Sequence, residues 1–208
     1  MKKMAVLFFA VFLMAGLAMS PSARAAGFEI TPFAGHTWGG DFTDAVTGKT
    51  VGMDDTASYG IMLDFNQAED TWIELYFSRQ QTSLKLDQGT FPSSTPLLNV
   101  DVEYFHVGGT YGEASGKVKP FVVGTLGVTY MAPKGEGLDS VTKFSLSLGG
   151  GVKLFLNDRV GLRLEGRWFG TLFDGSGEAF CANGACAFKV QGDLFSQYVA
   201  NAGLIVAF

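Results

Sequence analysis

Ser196-Gln197-Tyr198-Val199-Ala200-Asn201-Ala202-Gly203-Leu204-Ile205-Val206-Ala207-Phe208 ends the chain on an aromatic residue after an unbroken alternation. In an extended chain, side chains two apart share a face. Tyr198, Ala200, Ala202, Leu204, Val206 and Phe208 therefore form one apolar row, while Gln197, Asn201 and Gly203 face the other way. A strand that stays apolar on one side to its last residue suits a wall between lipid and a polar interior, the alternation of a transmembrane β-barrel.

The opposite end of the chain points to export. Lys2 and Lys3 precede an apolar run from Met4 to Met19, and Ala23-Arg24-Ala25 supplies the small residues of a cleavage site. The run is shorter than the roughly 20 apolar residues a membrane helix needs. The expected organisation is a signal peptide over 1–25, cleaved after Ala25, and one barrel domain over 26–208. No cysteine lies near the cleavage site, so a lipoprotein anchor is not expected. Losing Lys2, Lys3 and Arg24 from 15 basic residues leaves 12 against 20 acidic ones, a charge that argues against a nucleic-acid partner. After Met19 no long apolar run remains, and a membrane protein without a spanning helix has one solution, a closed barrel in which all backbone groups pair between strands.

Seven further segments alternate as the last one does. The first is Phe28 to Trp38, where Pro32 weakens one register. Tyr59, Ile61, Leu63 and Phe65 alternate with Gly60, Met62, Asp64 and Asn66. After the turn Ala68-Glu69-Asp70, the returning strand sets Ile73, Leu75 and Phe77 against Glu74, Tyr76 and Ser78. A fourth sets Val100, Val102 and Tyr104 against Asp101 and Glu103, and a fifth runs from about Lys119 to Met131. The sixth carries Phe144, Leu146, Leu148, Gly150, Val152, Leu154 and Leu156 on one side, and the seventh opposes Val160, Leu162, Leu164 and Trp168 to Arg163, Glu165 and Arg167. With the last strand the total is eight, the even number a single-chain bacterial barrel requires. The connectors after strands two, four and six are short and the others longer, so both chain ends fall on the periplasmic side. The expected fold class is all-β: an eight-stranded antiparallel up-and-down transmembrane β-barrel. A soluble eight-stranded barrel would alternate the other way, with its apolar rows inward.

One row collects Glu74, Asp101, Glu103, Lys153, Arg163, Glu165 and Arg167, and is expected to form a lumen charge network. Eight strands leave an interior that side chains can fill, so the charges are expected to pair as a plug. The alternative is a narrow, gated ion path.

The signal peptide, the eight strands and the terminal Phe208 together resemble the small bacterial outer-membrane barrels of the OmpA/OmpX type, as does the opening Phe28-Glu29-Ile30-Thr31-Pro32-Phe33-Ala34-Gly35. The resemblance covers essentially all of residues 27–208. It implies an outer-membrane location, insertion by the barrel-assembly machinery with Tyr198 and Phe208 as the assembly signal, and contact with outer-membrane lipid and lipopolysaccharide. The chain stops at Phe208, so the periplasmic peptidoglycan-binding domain of the larger OmpA-type proteins is not expected. The implied protein is a monomer with a structural or surface-interaction role carried by its long extracellular loops. A porin-like ion channel and, third, a lipid A-modifying enzyme are the rivals.

Other residues refine this reading. Cys181 and Cys186 flank Ala182-Asn183-Gly184-Ala185, an Asn-Gly turn, and in an exported chain a disulfide is expected. His36, near Asp41 and Asp44, and His106, expected on the lipid-facing row, are the two histidines an enzyme would need. Neither sits in a His-x-Ser motif, so no catalytic residue is assigned. Asp54-Asp55 is a weak cation signal, and no cofactor or metal is expected. Trp38, Trp72, Tyr76, Tyr104, Tyr130, Trp168, Phe169 and Phe208 are expected to form aromatic girdles at the lipid interfaces.

Overall fold

The computed structural model describes residues 27–43, 50–86, 98–113, 116–135, 138–173, 178–182, 185–189 and 194–208. The expected signal peptide lies outside them. Eight strands build the wall: β1 (Phe28–Trp38), β4 (Thr56–Ala68), β5 (Thr71–Leu86), β6 (Leu98–Gly112), β7 (Val118–Pro133), β8 (Val141–Phe155), β9 (Val160–Leu172) and β12 (Leu194–Ala207). Each pairs antiparallel with both neighbours, and β12 returns to β1. Two accessory pieces lie within the long connectors, the second of them at the Asn-Gly turn signal. Strands β2 (Asp41–Thr43) and β3 (Thr50–Met53) extend the sheet beside the outer end of β5, and β10 (Glu178–Ala182) and β11 (Ala185–Lys189) form a separate hairpin.

Closure reaches the last residue. Phe208 N–H donates to the Phe28 carbonyl at 2.9 Å, and Phe28 N–H donates back to Phe208 at 3.4 Å. The Phe28 ring lies 4.9 Å from that of Phe65 and 6.1 Å from that of Phe208, which makes an aromatic cluster at the seam. Beside Pro32, which has no N–H to give, the ladder to β12 pauses: pairing holds at Glu29 and Ile30 and resumes at Phe33.

The register fixes the barrel's shape. From Ser58 one route runs through Gln80 to Val102 on β6. The other runs through Gly35, Asn201, Glu165, Gly151 and Phe121 to Gly112 on the same strand. The two ends differ by ten residues, from 102 to 112, and for eight strands that stagger corresponds to a tilt of roughly 40°. At such a tilt 9–11 residues cross a bilayer. The wall strands run from 11 to 16 residues, so several project beyond it.

Inside and outside alternate as expected on most of the wall. Ile61, Phe65, Ile73, Val122, Leu126, Leu148, Leu164 and Leu204 are exposed on the outer face, while Glu74, Lys153, Arg163, Glu165, Arg167 and Gln197 are buried within. Strand β6 reverses the expectation. Val100, Val102 and Tyr104 point into the barrel, and Asp101 and Glu103 lie on the outward row, where their register partners are Gln81, Arg79 and Tyr130. His106 follows the same parity and is buried in the interior, not set against lipid. The reason lies in the partners on each side: Asp101 and Glu103 pair with Arg79 and Lys134 on the outer face, while Val100, Val102 and Tyr104 join the apolar cluster inside.

Four of the eight expected girdle aromatics are also inside. Tyr76, Tyr104 and Phe169 belong to the core, and Trp72 faces Lys153 at the periplasmic mouth. Trp38, Tyr130, Trp168 and Phe208 lie on the outward rows.

Candidate functional site

The lumen is filled in two layers. In the periplasmic half, alternation on β9 aims Arg163, Glu165 and Arg167 inward, and three other strands answer with Asp64, Glu74 and Lys153; β1 adds Glu29. Arg163 donates from Nη1 to Asp64 at 2.9 Å, from Nη2 to Glu74 at 2.6 Å and from Nε to Glu165 at 2.9 Å. Arg167 donates from Nε to Glu165 at 2.6 Å and from Nη2 to Glu74 at 2.8 Å. Lys153 closes the chain of pairs between Glu29, at 2.5 Å, and Asp64, at 3.6 Å. Rings cover the cations: Arg163 lies 4.5 Å from the Phe121 centroid and Arg167 4.4 Å from that of Tyr76. Each carboxylate holds a planar donor fork or an ammonium, which is what makes so many buried charges tolerable.

Of the predicted lumen set, Glu74, Lys153, Arg163, Glu165 and Arg167 thus meet in one network, and Asp101 and Glu103 do not join it. Glu29 and Asp64 are members that were missed. Their signal was available, since each alternates with apolar neighbours, Phe28 and Ile30 in one case and Leu63 and Phe65 in the other.

The outer half is built around an apolar cluster, with Gln80, Thr82, Thr129, Thr171 and Gln197 buried beside it. Met53, Leu84, Val100, Val102, Met131, Phe173, Phe195 and Val199 pack with Phe33, Tyr76, Tyr104 and Phe169 into one cluster that corks the lumen. Gly60 makes room for it: a Cβ there would sit 2.6 Å from the Phe33 ring and collide with the Phe77 carbonyl. Polar side chains at the boundary satisfy one another. His106 bonds Thr125 at 2.9 Å and Ser145 at 2.8 Å, and Gln197 accepts from Tyr104 at 2.6 Å and from Gln80 at 2.9 Å. The cavity at the periplasmic mouth, between Trp72, Phe121, Lys119 and Lys153, holds about 60 Å³.

A second charged group lies on the outside. Arg79 donates to Asp101 at 2.7 Å and pairs with Glu103 at 3.5 Å, while Lys134 pairs with the other Asp101 oxygen at 2.9 Å. Burial pushes the Asp101 carboxyl up, but Lys134 and Arg79 outweigh it and hold the group below the ordinary carboxylate range. In the same register row stand Tyr59 on β4 and Tyr130 on β7.

His36 is exposed on the outward face, its ring 4.8 Å from that of Trp38. Asp55 accepts from the Gly39 N–H at 3.3 Å, and the Asp54 carbonyl accepts from Thr82 at 2.7 Å, so this pair ties down the start of β4. Among the described residues no group of His, Cys, Asp or Glu is placed to hold a metal ion. Cys181 and Cys186 are direct partners in the β10–β11 register.

An outward belt of exposed leucine, valine, isoleucine and phenylalanine, around a lumen of paired charges, is the inverse of a soluble barrel. The chain has the fold of the small eight-stranded outer-membrane barrels. Solved structures agree. The crystal structure of Neisserial surface protein A superposes with a TM-score of 0.59 at 14% identity, over 87% of this chain and 97% of that one. The outer membrane protein OprG of Pseudomonas aeruginosa gives 0.57 at 15% identity, over 89% and 97%. The outer membrane protein AlkL, solved in lipid bilayers, gives 0.61 at 12% identity, over 92% and 94%. No family model and no curated protein matches the sequence. Fold and apolar belt together make this an integral outer-membrane barrel.

Proposed function

We propose that the barrel is a closed, non-conducting scaffold whose role is structural or lies in surface interactions of its extracellular connectors. The supporting observation is the filled lumen: a charge network seven residues strong in the periplasmic half and an apolar cork above it. An ion following the axis would have to break buried pairs and then pass packed apolar side chains whose polar neighbours, Gln80, Gln197, Thr129 and Thr171, are already bonded within the lumen, and a selectivity path needs the opposite, ligands spaced along a wet pore. The test is single-channel recording of the refolded protein in a planar bilayer. The expected record is flat, and stable discrete openings would overturn the scaffold reading in favour of a channel.

The remaining features belong to the same proposal. Residues 1–25 act as a cleaved signal peptide, Tyr198 and Phe208 serve recognition by the barrel-assembly machinery, the barrel works as a monomer in lipopolysaccharide and phospholipid, and Cys181 and Cys186 form a disulfide that restrains the last extracellular connector. The cross-strand position of the two cysteines supports the last point. A lipid A-modifying activity is disfavoured because His106 is engaged by Thr125 and Ser145 inside the barrel and His36, on the outer face, packs edge-on to Trp38. Lipid A mass spectra from cells with and without the protein check this, and the expected spectra are identical.

A further inference from the structure

We infer that Arg79 and Lys134, held apart by Asp101 and flanked by Glu103 and Tyr59, form a docking site on the outside of the barrel for the phosphorylated sugar headgroup of an outer-leaflet glycolipid. This rests on the outer-membrane placement and names one site within it.

The lipid-facing row of β5 reads Ile73, Leu75, Phe77 and then Arg79, Gln81, Ser83. That of β6, followed outward, reads Tyr111, Gly109, Val107, Phe105 and then Glu103, Asp101, Asn99. Both strands switch from apolar to polar at one register step, from the Phe77–Phe105 pair to the Arg79–Glu103 pair. The opposite wall does not switch: β9 and β12 keep Leu172 and Leu194 paired and exposed at their outer ends. Among the described outward rows, the paired charges at this edge thus lie on the β5–β6–β7 side, opposite the Leu172–Leu194 pair.

The donors fit a phosphate monoester. A guanidinium carries five N–H donors and an ammonium three, and Asp101 with Glu103 leaves several of each unused. The Arg79 and Lys134 side chains are 36% and 45% exposed; the Arg79 Nε is buried, so the donors offered to a ligand are the free terminal N–H groups of the two side chains. Asp101, bonded to both cations, fixes their spacing, and a planar fork beside a point charge is a good match for phosphate oxygens. Glu103 at 20% exposure is placed to accept from sugar hydroxyls, and the ring of Tyr59, 54% exposed, offers a face and a hydroxyl at the interface. The polar strip continues outward with Gln81 and the Ser83–Asn99 hydrogen bond of 2.7 Å, as sugars above the phosphate would require.

The test uses the full refolded barrel in phosphatidylcholine nanodiscs doped with either bis-phosphorylated lipid A or its dephosphorylated counterpart, with lipid retention read by native mass spectrometry. Wild type is expected to retain the bis-phosphorylated lipid about tenfold better, and the Arg79→Gln/Lys134→Gln variant to lose that preference. Arg159→Gln, a cation at the periplasmic rim, is expected to keep it. Equal retention of the two lipids, or equal loss in the Arg159 variant, would overturn the site. Displacement by inorganic phosphate alone would also overturn it, since the ligand would then be the free anion. A barrel that enters nanodiscs yet shows no preference defeats only this site, whereas failure to enter bilayers defeats the membrane reading beneath it.

Discussion

The lumen network and the outer cluster are made of the same side chains, yet they differ in every physical respect. Arg163 and Arg167 are at most 1% exposed and each bonds two or more carboxylates that are themselves dry. Arg79 is over a third exposed, with one short and one long partner. In the low-dielectric interior a missing partner leaves an uncompensated charge, while at the surface water replaces it. Inward charge is therefore architecture, and outward charge is free to be recognition.

The largest expected effect is that of Arg163→Ala, which takes one buried cation from Asp64, Glu74 and Glu165 and leaves Asp64 only the 3.6 Å pair with Lys153. We expect a loss of about 3–5 kcal/mol in unfolding from vesicles by urea. A loss as small as a surface pair would give means the network is not what holds the periplasmic half.

Next is Gly60→Ala, which forces a methyl against the Phe33 ring and the Phe77 carbonyl. Overpacking of this kind costs about 1–3 kcal/mol in the same assay. No change would mean the cork is loosely packed and the closed-lumen reading is weakened.

Arg79→Ala should sit at the other pole, unfolding at the wild-type urea midpoint. Combined with Arg163→Ala it should add nothing beyond about 0.5 kcal/mol, because the two groups share no partner. Coupling between them would mean that the inside and outside charges communicate through the wall.

The pH response sharpens the comparison further. The Asp101 carboxyl is depressed below its ordinary value, so its contribution is full above an unfolded pKa of about 4. That contribution disappears as pH falls through the lower folded value. The Asp101 carboxyl signal in carbon-13 NMR should thus stay that of the carboxylate from neutral pH to about pH 4 and move only below it, and a shift between pH 7 and 5 would contradict the pairing.

The smallest expected effect on stability is that of Cys181→Ala. Heat-modifiable migration should be unchanged while the last connector is cleaved faster by protease, and loss of the folded band would assign the cysteines to the wall itself.

Much of this was legible before any coordinates. Arg163-Leu164-Glu165-Gly166-Arg167 alternates charge with small or apolar residues, and Leu162 to Trp168 can be placed in only one way inside a membrane. The same period-two rule failed at Val100-Asp101-Val102-Glu103-Tyr104. Alternation sorts a strand into two rows but does not say which row is inside. That assignment came from assuming an apolar outer row, and at the outer end of β6 the outer row is charged and paired with Arg79 and Lys134.

The eight wall strands, the alternation of short and long connectors and the closing residue were written in the sequence. These follow from local periodicity and turn chemistry, which the chain carries residue by residue. Only the tertiary structure decided which carboxylates meet Arg163, that Tyr76, Tyr104 and Phe169 cork the lumen, and that Asp101 and Glu103 face out. Those facts depend on the ten-residue stagger, a quantity that exists only once the barrel has closed.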